Sequence, residues 1–229
     1  MDTVQIFKMA LKLAPLFLNH GQAQTKRPPL TLTEKDVALL GLRNKVGSVT
    51  VLLGSRDTGK TELAYRLAEF FDRPTYAVSP QQKPPSWITW VKMNEIEERV
   101  LPMSTLIMDD LPAYMSNRDY HEELVKTIER IIPMVRHKRI PPDFPVGEVH
   151  LVFCSQSSAQ ADRYILDCDA AFLKPLGLLM GDIERPNIAK LYRTLVDPEF
   201  AGHDDVWIQK HAYMLSRTFR GIIDVKKTS

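Results

Sequence analysis

Eight residues, Gly54-Ser55-Arg56-Asp57-Thr58-Gly59-Lys60-Thr61, constrain this chain more than any other stretch. They fit the pattern Gly-x-x-x-x-Gly-Lys-Ser/Thr, a backbone coil that wraps a phosphate. An apolar run, Val49-Thr50-Val51-Leu52-Leu53, precedes them and reads as a buried strand, and a helical pattern from Glu62 to Phe71 follows. Glycines let the coil turn successive N–H groups inward, and the helix N-terminus adds partial positive charge. In this layout Lys60 reaches the β- and γ-phosphates and Thr61 offers its hydroxyl to Mg2+. The residues expected to hold a nucleotide are Gly54, Ser55, Arg56, Asp57, Thr58, Gly59, Lys60, Thr61 and Glu62. The competing explanation is a glycine turn that fits by chance. The strand before it and the helix after it are the context that a real phosphate coil requires.

A second group of residues suits hydrolysis. Thr105-Leu106-Ile107-Met108 reads as a buried strand ending in Asp109-Asp110. Asp109 is expected on the Mg2+ side with Thr61, and Asp110 is expected to orient or deprotonate the attacking water. The apolar run Val149 to Cys154 is another buried strand, with Ser155-Gln156-Ser157-Ser158 at its tip. Gln156 there senses a γ-phosphate or holds the water; the alternative is a turn in which the serines cap a helix. Tyr120, Leu124, Ile128, Ile131, Ile132 and Val135 recur at helical spacing over 119–139, with a kink at Pro133. That helix closes on Arg136-His137-Lys138-Arg139. Such a cation cluster either complements the helix dipole in solvent or offers an arginine to a neighbour's γ-phosphate.

The chain has 229 residues, 44% of them hydrophobic, enough to bury one core. Its net charge of +2 means that any nucleic-acid contact comes from a local cluster or from a ring of subunits. Lys83, Arg118 and Lys174 are the candidate DNA contacts. Two cysteines, Cys154 and Cys168, make neither a disulfide framework nor a metal site and point to a reducing compartment. No run approaches the roughly 20 apolar residues of a membrane span. Residues 1–20 are amphipathic and read as a helix packed on the domain or on a neighbour, or as one lying on a membrane surface. Lys8 and Lys12 inside that stretch disfavour a signal peptide. Residues 21–31 read as a linker, and Thr33 with Asp36 opens a short helix to about Leu42. The expected division is an N-terminal segment and linker, 1–44, and a catalytic domain, 45–229.

Further strands are expected at 75–79, 87–92 and 170–173, and helices at 94–101, 159–166 and 186–196. Proline-rich loops fall at 80–86 and 141–145, and a terminal hairpin pairs 213–215 with 222–225. The alternation predicts an α/β fold with a mostly parallel central sheet, helices on both faces and a C-terminal hairpin; with the coil at 54–61 it resembles the three-layer P-loop NTPase sandwich of RecA-like type.

The order Arg136-His137, then Leu151-Val152-Phe153, then Ser155-Gln156 resembles the FtsK–HerA group of DNA-pumping ATPases, over roughly residues 45 to 175. The compact length is most similar to the genome-packaging ATPases of tailless icosahedral viruses with an internal membrane. Two departures stand out: Asp110 where Glu is common, and a proline-rich insertion at 141–147. The resemblance implies an ATP- and Mg2+-dependent motor that drives double-stranded DNA through a pentameric or hexameric ring. It implies partners at a capsid vertex or internal viral membrane, and a place in the virion or host cytoplasm. It makes Lys60, Asp110, Gln156 and Arg136 the catalytic set, with Arg139 second choice for the arginine given in trans. The competing functions are a small-molecule kinase or other P-loop NTPase, with arginines in cis, and a non-hydrolysing regulatory binder.

Overall fold

The computed structural model describes residues 33–78, 84–109, 131, 132, 135, 148–156, 168–177 and 186–224. The stretches 1–20 and 21–31, the body of the 119–139 helix, the 141–145 loop and the 159–166 helix lie outside the described residues. So do Lys83, Arg118, Asp110, Arg136, His137 and Arg139. The chain divides into two compact units, Met1–Leu32 and Thr33–Ser229, and every described residue belongs to the second.

That unit opens with α1, Glu34–Arg43. The expected cap is present: the Asp36 N–H donates to Thr33 Oγ1, and the Thr33 N–H donates to Asp36 Oδ2 at 3.0 Å. Such a box contributes about 1 kcal/mol. Ala38, Leu39 and Leu42 bury the inner face of α1 in the same core as the elements that follow, so this helix shares the core of the second unit. Next come β1 (Ser48–Leu53), α2 (Lys60–Phe71), β2 (Thr75–Val78) and β3 (Thr89–Trp90). β3 is far shorter than the expected 87–92 strand; it lies at the edge of the sheet with both its residues exposed. A 3-10 turn at Met93–Glu95 leads into α3, Ile96–Arg99. Ahead of the 3-10 turn the Lys92 N–H is taken up by Glu95 Oε2 at 3.2 Å.

β4 (Thr105–Met108), β5 (His150–Ser155) and β6 (Ala170–Leu173) complete the parallel part of the sheet. The 186–196 helix forms as α4 (Pro186–Leu191) running into a π-helical turn, Tyr192–Val196, and then α5 (Asp197–Phe200). α6 (Asp205–Lys210) leads directly into the hairpin of β7 (His211–Ser216) and β8 (Arg220–Asp224).

The described strands make one sheet in the order β3-β2-β4-β5-β1-β6-β7-β8. All pairs from β3 to β6 are parallel, and β7 and β8 add antiparallel at the β6 edge. Side chains alternate across it, as strand geometry requires. Val49, Val51, Leu53, Leu106, Met108, Leu151 and Phe153 face one layer, which holds Ile96, Ile131, Val135, Val196 and Phe200. Leu52, Ile107, Val152, Cys154 and Phe172 face the other, covered by α1 and by Leu63, Leu67 and Phe71 of α2. A sheet apolar on both faces needs helices on both, giving three layers. Phe153 and Phe172 are fully buried on opposite sides, and truncating either to Ala costs about 3–5 kcal/mol.

At the N-terminal end of β5, His150 is fully buried, with Nδ1 2.7 Å from Ser48 Oγ and its ring stacked on Phe71 at 4.3 Å. Burial, reinforced by the nearby Arg73 charge, pushes its pKa down to about 4. This end of the sheet is remote from the phosphate coil. Among the described residues no helix is long and apolar enough to cross a membrane.

Candidate functional site

β1 is the switch point of the sheet: the chain leaves it for β2 on one side, while β6 lies on its other side. Ligands of open α/β sheets sit at such a point, outside the carboxyl ends of the strands. The coil 54–59 occupies that place. Gly54 has φ +154°, and a Cβ there would lie 2.7 Å from Lys174 Cβ and 3.0 Å from its carbonyl oxygen. Only glycine fits so close to the segment that leaves β6 at Lys174. Gly59 has φ +82°, and a Cβ there would lie 2.7 Å from the Gln209 carbonyl oxygen. The coil is thus pressed between β6 and the end of α6. Ser55 donates its N–H to the Pro175 carbonyl at 3.1 Å and accepts the Gly177 N–H on Oγ. Thr58 Oγ1 donates to the Ser55 carbonyl at 2.8 Å.

α2 starts at Lys60 on a left-handed Gly59 that has no side chain to cap it. Its first-turn N–H groups have no partner within the helix, and they carry the positive end of its dipole. Lys60 Nζ donates to the Ser55 carbonyl at 2.6 Å, so the ammonium lies against the coil. Glu62 turns its side chain to Arg66, 3.1 Å away on the next turn.

The two halves of the expected metal site meet. Thr61 Oγ1 donates to Asp109 Oδ2 at 2.9 Å, across 48 positions of sequence. Asp109 is buried, and its N–H donates to the Val78 carbonyl. Beside it, the Tyr65 phenol is pushed up to about 12 by burial and then by the Asp109 carboxylate. Among the described residues no three His, Cys, Asp or Glu come together. One hydroxyl and one carboxylate are hard oxygen donors, the set that Mg2+ takes alongside phosphate oxygens and water. The glycine cradle, the capless helix start and this oxygen pair therefore fit a Mg2+–nucleoside triphosphate.

Gln156 follows β5 directly. The register pairs Leu53 with Ser155 and Met108 with Phe153, so β5 lies between the coil strand and the acid strand and brings Gln156 to their shared end. Its Oε1 accepts from Arg56 Nε at 3.2 Å. Of the expected site residues, Gly54 to Glu62, Asp109 and Gln156 are thus gathered at one edge, whereas Asp110 and Arg136 lie outside the described residues.

Lys174 departs from expectation. It is not a surface cation for DNA: it is fully buried, and Nζ donates to the Ile208 and Gln209 carbonyls at 2.9 Å each. Burial drives its pKa down to about 7, with the Arg66 and Lys60 charges adding to the effect. The sequence reading missed its role as a brace between the coil and α6. Nothing local signals that role, since the two partners lie 34 and 35 positions away.

The strand order, the phosphate coil at the end of β1 and the Thr61–Asp109 pair define the P-loop NTPase fold. No family model matches the sequence, and no curated protein matches it. Solved structures are similar at low identity. The cytoplasmic domain of the type VII secretion ATPase EccC from Thermomonospora curvata is 10% identical, with a TM-score of 0.48. It covers 79% of this chain, which spans 25% of that one. The RuvB Holliday junction branch migration motor of Thermotoga maritima is 17% identical with a TM-score of 0.40, covering 77% of this chain and 54% of its own. The flagellar accessory protein FlaH from Methanocaldococcus jannaschii is 13% identical with a TM-score of 0.39, covering 63% of this chain and 77% of its own.

Proposed function

We propose that this chain is a Mg2+-dependent ATPase working as one subunit of a ring that drives double-stranded DNA, in the setting of viral genome packaging. The observation that carries the hydrolytic reading is the Thr61–Asp109 hydrogen bond at the mouth of the glycine coil. The motor reading is supported by the order of sequence motifs from Arg136 to Gln156.

In this mechanism the coil N–H groups and Lys60 bind the β- and γ-phosphates. Thr61 and Asp109 would hold Mg2+, which when bound would neutralise charge on the phosphate oxygens. Asp110 orients or deprotonates the attacking water. Gln156 contacts the γ-phosphate side of the site. Arg136 of an adjacent protomer, with Arg139 as second choice, lends positive charge in the transition state.

The test is ATP turnover with and without long duplex DNA, beside a mass measurement in solution. Turnover stimulated by duplex, abolished in Lys60→Ala and shown by an oligomer is the expected result. Mixing Arg136→Ala with Asp110→Asn subunits restores turnover, because each supplies what the other lacks. A monomer indifferent to DNA that phosphorylates a small acceptor overturns the motor in favour of a kinase.

A further inference from the structure

A second concavity lies at the end of the sheet opposite the phosphate coil. The coil leaves β1 at Leu53, whereas this hollow lies where β1 and β6 begin and β7 ends, near the paired Ala170 and Ser216. Its volume is about 630 Å3, in the range of small-molecule sites. Two positions poor in side chain open it. Ala171 stands opposite Leu215 across the β6–β7 ladder, so a methyl lies where a larger residue would fill the space. Gly47 projects no side chain, and a Cβ there would meet the Val135 carbonyl oxygen at 1.8 Å. Val46 and Cys168 complete the apolar part of the lining.

The charges around the hollow do not balance. Lys45 and Asp169 form an ion pair, and the other oxygen of Asp169 accepts the Val49 N–H at 2.8 Å. That acid is spent on protein groups, with its side chain only 5% exposed. Arg217 is exposed and, among the described residues, has neither a hydrogen-bond nor an ion-pair partner. Ser216 Oγ accepts the Thr218 and Phe219 N–H groups at 3.4 and 3.0 Å, which closes the turn that carries Arg217. Two cations against one carboxylate leave one positive charge uncompensated beside an apolar floor.

We propose that this hollow binds a small organic anion, an apolar chain or ring bearing one carboxylate, with the apolar body on Ala171 and Leu215 and the carboxylate on Arg217. The guanidinium fork matches a carboxylate with two parallel donors. A simple inorganic anion would leave the floor uncovered, and a neutral apolar molecule would leave the arginine unused. A metal ion would meet net positive charge, and no three His, Cys, Asp or Glu come together among the described residues. The site shares no residue with the coil, so its occupancy does not depend on the nucleotide reading.

The probe is octanoate, and the reporter is Cys168. Of the two cysteines, Cys154 is fully buried and Cys168, in the lining, is partly exposed. Alkylation of Cys168 by iodoacetamide, a neutral reagent, is followed by mass. Octanoate is expected to slow it saturably. Acetate, which lacks the body, and octylammonium, which reverses the charge, are expected to give no protection at the same concentrations. Arg217→Ala should raise the half-protecting octanoate concentration about threefold to tenfold, the worth of a charge-assisted bond at an exposed side chain, and Arg217→Lys should raise it less. Val46→Glu, at a half-exposed position of the lining, should weaken protection by a similar factor through like-charge repulsion. Lys60→Ala should be protected as the wild type is, so a failed nucleotide reading leaves this inference standing. No protection by octanoate, equal protection by octylammonium, or wild-type protection in Arg217→Ala overturns it.

Discussion

Replacing Lys174 with methionine tests whether the brace behind the phosphate coil carries a lysine out of water. The side chain is fully buried, its ammonium donates to two carbonyls, and its pKa falls from 10.5 to about 7. Above pH 10.5 the lysine is neutral in both the folded and unfolded chain. Between 10.5 and 7 the unfolded chain binds a proton that the folded one does not, so stability falls as pH falls through this window. Below 7 both states are charged and the full penalty, about 5 kcal/mol at most, is present. From about pH 7 to pH 9 the wild-type protein therefore gains about 2 kcal/mol from this residue alone. Lys174→Met has no such term, although it leaves the Ile208 and Gln209 carbonyls short of a donor at about 1–3 kcal/mol each. The assay is urea unfolding of both proteins at pH 7, 8 and 9. The difference between them cancels every other titration and should shift toward the wild type by about 2 kcal/mol across the series. A difference that stays flat refutes a desolvated Lys174.

Gly59→Ala puts a Cβ at φ +82° and 2.7 Å from the Gln209 carbonyl, so it should lose about 1–3 kcal/mol in denaturant unfolding and weaken ADP binding; Gly41→Ala in α1, with nothing within 4 Å, should gain about 0.5–1 kcal/mol. His150 has a pKa depressed from 6.5 to about 4. Its contribution to stability is complete above 6.5 and is lost as pH falls toward 4, about 2–3 kcal/mol by pH 4.5. Unfolding at pH 7 and 4.5 should show that loss in the wild type and not in His150→Leu. Thr61→Val removes the hydroxyl that meets Asp109. Nucleotide affinity should fall about tenfold with Mg2+ present and stay unchanged in EDTA; an equal fall in EDTA would argue against the metal-side assignment.

The phosphate coil, its strand and helix, and the acid strand were legible because each is local. A fixed octapeptide spacing and short runs of period 2 or 3.6 carry the information. The Thr33–Asp36 cap and the terminal hairpin were legible for the same reason. The meeting of Thr61 with Asp109 was expected because both offer hard oxygen donors of the kind that Mg2+ takes. What escaped was set by distant packing. Lys174 reads as a surface cation because lysine is almost never fully buried, and only the carbonyls at the end of α6 make its burial tolerable. The Arg56–Gln156 bond spans 100 positions and leaves no trace in spacing. β3 shrank from the expected 87–92 run because an edge strand is paired on one side only, and its tryptophan-rich sequence says nothing of where pairing stops.

The last hairpin has a mechanical consequence. Lys174 hangs by its backbone N–H from the Leu53 carbonyl and by its side chain from α6, and α6 runs without a break into β7. A pull on β7 or β8 is therefore transmitted along one short tether to the first residue of the coil. Whatever grips that hairpin has a lever on how tightly the coil is held.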